Sequence, residues 1–266
     1  MVDIHIGTAG WDYKDWIGPF YPKNLDKTRH LTFYSNYFDV NEVNSTFYNL
    51  LSINTFENWI NRVPSNFQFI LKVWQKVTHE FDNPSLEEDI SKFQSQIKPF
   101  GKMVKGLLLQ FPPRFKYSDK YLQHLSYIVR KFTRKYRMFI ELRNNSWFET
   151  PDLTKLIDGK KIILATSYLE KVKPYYYPNQ ETYYIRLIGD REITIFDHVQ
   201  KSQDIALSHL YSNIKKLQET PNIREIFIIV NNHFSGFAPE TVIQLRRDLN
   251  LSFKNFTYQK KLTDFF

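Results

Sequence analysis

The chain has 266 residues, 42% hydrophobic and 17% aromatic, enough for a sizeable core in one large α/β domain or two small ones. It contains no cysteine, which excludes disulfides, cysteine-ligated iron–sulfur clusters and thiolate zinc sites. Its formal net charge of +8 fits an anionic substrate or a polyanion, and fits equally well a set of solvated helix faces.

The first residues, Met1 to Gly7, carry neither the basic segment nor the long apolar segment of a signal peptide. No apolar run approaches the roughly 18 residues of a membrane helix. A cytoplasmic protein without a membrane partner is therefore expected.

Short apolar runs alternate along the chain with helical patterns. The first run, Ile4 to Thr8, leads into a long aromatic loop, Trp11 to Pro22, and a helical segment is expected near Leu25 to Tyr37. The second run, Val40 to Val43, is followed by Phe56, Trp59, Ile60 and Val63 at helical spacing, with Pro64 as the stop. After the third run, Phe67 to Trp74, Ser85 and Glu88 have the spacing of a capping box for a helix reaching Ile97.

The fourth run, Val104 to Leu109, ends at Gln110-Phe111-Pro112-Pro113, where the prolines forbid further pairing. Ser118 opens a helix whose apolar stripe runs from Tyr121 to Phe132. The basic residues Arg130 to Arg137 end it, where they suit the negative end of the helix dipole. The fifth run is Met138 to Leu142, and Thr150-Pro151 has the form of a helix start leading to Ile157.

The sixth run, Ile162 to Ala165, is followed by an irregular stretch, Tyr168 to Thr182, without a helical pattern. Tyr183 to Ile188 is the seventh run, with a helix expected near Gln203 to Leu217. Ile226 to Val230 is the eighth, and Pro239 starts a last helix. Phe253 to Phe266 reads as an additional C-terminal segment.

Eight buried runs alternating with helices predict parallel strands and a single (β/α)₈ TIM-type barrel over residues 1–266, α/β in class, with an irregular connection between the sixth and seventh strands. About 250 residues is the usual size of that fold. A doubly wound sheet would want a glycine-rich first turn opening a helix, and Gly7-Thr8-Ala9-Gly10 is too sparse for it.

In a barrel, the C-terminal strand ends share one face, where such enzymes place their chemistry. Those ends supply Glu42, Asn44, Lys72, Gln110, Glu141, Arg143, Thr166, Arg186, Asn231 and His233. Glu42 with Asn44, Glu141 with Arg143, and Tyr184 with Arg186 each lie two apart, so each pair faces one side of its strand. Burying such groups costs stability unless they are paired, which marks a site.

Each residue also has a plainer reading. Glu141 and Arg143 could pair to hold the barrel mouth, Lys72 could snorkel outward, and Asn231 and Asn232 could be turn residues. His233 and His79 could be hydrogen-bonded loop histidines. Trp11, Tyr13, Trp16, Phe20 and Tyr21 are suited either to plug the mouth or to stack on a ligand.

Several blocks resemble the YecE-like family, a group of domains of unknown function (DUF72). They are Gly7-Thr8-Ala9-Gly10-Trp11, Gly18 to Pro22, Glu42 to Tyr48, Lys72-Val73, Thr78-His79 and Leu109 to Pro113. Further blocks are Glu141-Leu142-Arg143, Ser146-Trp147, Tyr184 to Gly189, Asn231-Asn232-His233 and Gly236 to Pro239. The resemblance implies a TIM-type barrel with a polar pocket at its mouth, and no established activity. Two positions depart from it: Ile188 stands where the family usually has His, and Thr166 where it often has Asp. A mechanism built on those groups does not carry over.

The site residues fit an enzyme acting on a small anionic substrate, a phosphorylated one included, by hydrolase-type or isomerase-type acid/base chemistry. Glu42 and Glu141 are the catalytic candidates. Arg143, Arg186 and Lys72 would hold the anion, and Asn44 and Asn231 would orient substrate or stabilise charge. Trp11, Tyr13, Tyr48, His79, Gln110, Trp147 and His233 complete the candidate binding set.

No cofactor or tightly bound metal is expected, since HExxH-type spacing is absent. A nucleic-acid-binding or nucleic-acid-processing protein is the alternative, and a non-catalytic ligand-binding barrel a third reading. The sequence leaves the oligomeric state open, with a monomer the simplest case.

Overall fold

The computed structural model describes residues 2–132 and 135–256. The expected C-terminal segment beyond residue 256, and positions 133 and 134 of the basic patch, lie outside the described residues.

Elements follow in the order β1 (Asp3–Ala9), α1 (His30–Tyr34), β2 (Val40–Val43), α2 (Ser45–Tyr48), α3 (Ile53–Ile60), β3 (Gln68–Lys72), α4 (Gln75–Thr78) and α5 (Leu86–Ile97). The chain continues with β4 (Val104–Gln110), α6 (Asp119–Phe132), β5 (Met138–Glu141), α7 (Leu153–Leu156), β6 (Ile162–Leu164) and β7 (Thr166–Leu169). It closes with β8 (Thr182–Gly189), α8 (Asp204–Glu219), β9 (Glu225–Val230), α9 (Asn232–Ser235) and α10 (Ala238–Asp248). No helix among the described residues is long and apolar enough to cross a membrane.

All pairings between these strands are parallel, in the order β6-β5-β4-β3-β2-β1-β9-β8-β7. The two ends of that order are consecutive in the chain, separated only by Ala165. The sixth predicted run, Ile162 to Ala165, yields β6, which pairs with β5, and an unexpected strand follows it directly: β7, which runs into the stretch expected to be irregular and pairs with β8. The result is a nearly closed barrel of nine strands, eight from the predicted runs and β7 beyond them. Beside β6, the Gln180 side chain stands in for a ladder partner: its Oε1 accepts from Leu164 N at 2.7 Å and its Nε2 donates to Leu164 O at 3.3 Å.

Strand parity divides the core into two compartments. Val40, Ile70, Leu108, Phe139, Tyr184, Phe227 and Ile229 fill the barrel interior. Alternate positions such as Leu107, Leu109, Ile140 and Ile185 face outward into the helical layer, with Leu125 and Ile128 of α6 and Leu210 and Ile214 of α8. Gly106 makes room for the interior: a Cβ there would lie 2.3 Å from the Phe139 ring. That ring stacks on Tyr184 with centroids 4.2 Å apart.

Three helical expectations differ from the structure. The segment expected from Leu25 is a 3-10 turn, Lys27–Arg29, followed by only five residues of α1, because the Asp26 side chain caps Thr28 N at 2.7 Å and starts a tighter turn. Ser85 makes no capping bond; it takes its own amide bond to Asn83 Oδ1 (2.9 Å), and the local turn replaces the capping box. The helix expected from Thr150 begins at Leu153, since Thr150 bonds Asp152 instead.

Candidate functional site

The interior row repeats at every second residue, so the next position up each strand also points inward. From Val40 that position is Glu42, from Ile70 it is Lys72, and from Leu108 it is Gln110. From Phe139 it is Glu141, and from Tyr184 it is Arg186. Five strands thus end in polar side chains aimed at one space above an apolar floor, and all five are buried.

Arg186 ties the layer together. Its Nε donates to Glu42 Oε2 at 2.7 Å and its Nη2 to Glu42 Oε1 at 2.6 Å, a two-pronged grip, while its Nη1 donates to Glu141 Oε2. Tyr184 Oη adds a third donor to Glu42 at 2.5 Å, and Arg143 Nε donates to Glu141 Oε1 at 2.6 Å. Both carboxylates are 0% exposed, so this pairing is what makes their burial tolerable.

Burial would raise the Glu141 carboxyl pKa, but Arg143 and Arg186 outweigh it and hold the group at about 2. Burial likewise opposes the charge on Arg186, and Glu141 and Glu42 overcome it and raise its pKa. Tyr184 is pushed well above the ordinary phenol range, first by burial and then by Glu42.

Lys72 differs from the other charged members. Its Nζ lies 3.8 Å from the Phe47 ring centroid, and no carboxylate lies within the 4.0 Å ion-pair limit among the described residues. Burial first, and the Arg186 guanidinium second, lower its pKa to about 7. The strand end is fixed by Thr46 Oγ1, which donates to Lys72 O at 2.7 Å and anchors α2 there.

His79, half-buried beside Phe47 with ring centroids 5.0 Å apart, is pushed to about 4 by burial and then by Lys72 and Arg114. It is neutral at physiological pH, and its Nδ1 lies 2.9 Å from Thr78 Oγ1.

The remaining expected residues fall into two groups. Tyr13 belongs near the cluster: its hydroxyl donates to Ala9 O at 2.5 Å, and its pKa is raised by burial and by the charges of Glu42 and Tyr48. Trp11, Tyr13 and Asn44 border a cleft of about 530 Å³ together with Asp12, Lys27 and Arg62. Tyr48 stands exposed at the end of α2.

Trp147, Asn231 and His233 are held by local contacts instead. The Trp147 indole is fully buried, donating to Phe115 O at 2.7 Å and stacking on the Phe115 ring. Asn231 caps α9 by accepting from His233 N at 3.0 Å. His233 Nδ1 lies 2.9 Å from Ile193 O, with its ring edge-on to Phe196. Trp16, Phe20 and Tyr21 are buried in the outer apolar layer, against Phe33, Phe38 and Phe237, and the Trp16 indole donates to Asn232 Oδ1 at 3.2 Å.

Where the sequence departs from the resemblance, Ile188 is a buried apolar residue and Thr166 Oγ1 donates to Tyr175 O at 2.9 Å. Two participants were missing from the candidate set. Tyr184 is signalled by its two-residue spacing from Arg186. Phe47 carries no polar signal and is found only through the Lys72 contact.

A larger groove on the same face, about 780 Å³, is lined by Lys171, Lys173, Lys201 and His209 and holds none of the strand-end charges. Volume alone would choose it; the convergence of buried charge chooses the barrel mouth. Among the described residues, no three His, Asp or Glu side chains form a group that could hold a metal ion.

Known proteins share this frame. A DUF72 family protein from Thermotoga maritima superposes with a TM-score of 0.75 at 25% identity, over 93% of this chain and 99% of that one. A DUF72 family protein from Enterococcus faecalis gives the same TM-score at 20% identity, over 95% of this chain and 99% of that one, a likeness of fold. The UPF0759 protein YunF of Bacillus subtilis is 30% identical over 154 residues, so the match spans 56% of this chain and about half, 53%, of that relative. The model of the family described as protein of unknown function DUF72 matches residues 5–264, a span containing β2 to β9, most of β1 and the whole buried charge layer, and the chain belongs to that family.

Proposed function

We infer that the barrel mouth is the site of an enzyme acting on a small anionic substrate. The observation that carries this reading is the surplus of basic side chains over carboxylates in the strand-end layer. Three basic side chains, Arg143, Arg186 and a Lys72 charged in only part of the molecules at neutral pH, share the space with two carboxylates, Glu42 and Glu141.

Arg186 is committed to both carboxylates, but Arg143 commits only its Nε and keeps its terminal nitrogens for a ligand. Guanidinium nitrogens offer a planar fork suited to carboxylate or phosphate, and Lys72 adds a point charge in the fraction of molecules where it is protonated.

In this reading the carboxylates take different work from a matched acid/base pair. Glu141, held at about 2, stays ionised at neutral pH and is too weak a base or acid to carry a proton, so its work is to face developing positive charge. Glu42, gripped by Arg186 and Tyr184, orients the guanidinium and carries the second negative charge of the layer.

The test is calorimetric titration with inorganic phosphate and with small carboxylates. Arg143→Met should weaken binding by about tenfold or more, the value of one charge-assisted hydrogen bond. Affinity unchanged in that variant would remove Arg143 as the anion receptor and the reading with it.

A further inference from the structure

We propose that Lys72 is a nucleophilic amine that forms a Schiff base with an aldehyde or ketone bearing an anionic group. This deepens the anion-binding reading and rests on it: the anion would sit on Arg143, and the carbonyl carbon beside Lys72 Nζ.

Geometry separates Lys72 from the alternatives for a strand-end lysine. A snorkelling lysine keeps its head in water, whereas this residue is 8% exposed and its amine lies against the face of Phe47. A structural lysine in such a place would be paired with a carboxylate. Glu42 and Glu141 are both close enough to influence Lys72, yet they are spent on Arg186 and Arg143.

What results is a desolvated amine next to guanidinium groups, the environment that activates lysine toward carbonyls. Its pKa of about 7 leaves a large neutral fraction at physiological pH.

The step balances without an added reagent. The Lys72 nitrogen lone pair forms a C–N bond to the carbonyl carbon, and the π pair of the C=O moves to oxygen. That oxygen then leaves as water with both amine hydrogens, giving C=N, with no oxidation or reduction. Uptake of one proton makes an iminium cation, whose charge Glu42 and Glu141 favour and the Arg186 guanidinium opposes.

The experiment uses the whole chain at pH 7 with sodium cyanoborohydride and either glyoxylate, an anionic aldehyde, or glycolaldehyde, an uncharged one. Adducts are located by peptide mass mapping. Lys72 should be modified at least about tenfold faster than any other lysine, since an amine near 7 is about half neutral and an ordinary one is well under one in a thousand. Glyoxylate should be preferred, and the labelling rate should rise with a midpoint near pH 7.

Lys72→Arg, which keeps the charge, should lose the adduct, and labelling of that variant at the wild-type rate overturns the assignment. Equal labelling of Lys72 by both aldehydes upholds the nucleophile and removes the anion reading. Labelling no faster than that of surface lysines, in protein that still binds phosphate, overturns the nucleophile and leaves the anion reading standing.

Discussion

Arg186 is the residue on which the buried layer depends, because a single guanidinium satisfies two carboxylates that have no access to water. Arg186→Leu should destabilise the fold by roughly 3–5 kcal/mol, since both anions would be left in a dry interior. Urea unfolding at pH 7 measures it; a loss under about 1 kcal/mol would mean that water enters the mouth and replaces the guanidinium.

The same network sets an acid limb of stability. Folded Glu141 has its pKa depressed from 4.5 to about 2, so between those values the unfolded chain binds a proton that the folded chain refuses. Stability from this group is therefore complete above about pH 4.5 and falls as pH drops toward 2. A Glu141→Gln variant should show a flatter acid limb in the same urea series. The sequence revealed these partners through two-residue spacing at strand ends, but which carboxylate Arg186 would take, and that it would take both, depends on distances across the barrel that no local pattern encodes.

The elements were readable where apolar periodicity decides them, and less so where hydrogen bonds between side chain and backbone do. All eight runs became strands, and α5, α6, α8 and α10 lie where their stripes predict, since burying a continuous apolar face leaves little choice of register. The start of α1 and the cap of α5 went to Asp26 and Asn83, short side chains that offer local turns competing with the helix.

The break at Ala165 was not readable either. Gln180 lies in the irregular stretch expected between the sixth and seventh strands, and nothing in its neighbourhood marks it as a ladder substitute. Gln180→Leu should leave Leu164 N and O unpaired in the core at a cost of roughly 1–3 kcal/mol for each. Hydrogen exchange at the Leu164 amide should quicken accordingly. Unchanged protection there would show that β8 closes directly onto β6 without the side chain.

Across the whole molecule, the charge cluster at the N-terminal end of the barrel and Lys72 at the other end have opposite relations to stability. At the N-terminal end, Arg246 of α10 donates to Asp39 and, at 3.2 Å, to Ile6 O, and His5 Nδ1 lies 3.3 Å from Asp39 Oδ2. This cluster ties the last helix to the first two strands, so Arg246→Ala should lower stability by roughly 1–3 kcal/mol through lost bonds to charge and lost packing.

At the C-terminal end Lys72 is held in a form its surroundings disfavour. With its pKa depressed from 10.5 to about 7, the unfolded chain binds a proton that the folded chain lacks between those values. Its cost is therefore full below pH 7 and relieved as pH rises toward 10.5. Lys72→Met, which keeps the packing against Phe47, should raise the urea midpoint at pH 6 and do so less at pH 10.

The two substitutions form one prediction about the molecule. Arg246→Ala should destabilise without changing the rate at which Lys72 is labelled, and Lys72→Met should stabilise while abolishing the labelled peptide. A barrel in which the Arg246 cluster supplies stability and the reactive Lys72 costs some must show both effects. A loss of stability in Lys72→Met would place Lys72 among the residues that hold the fold.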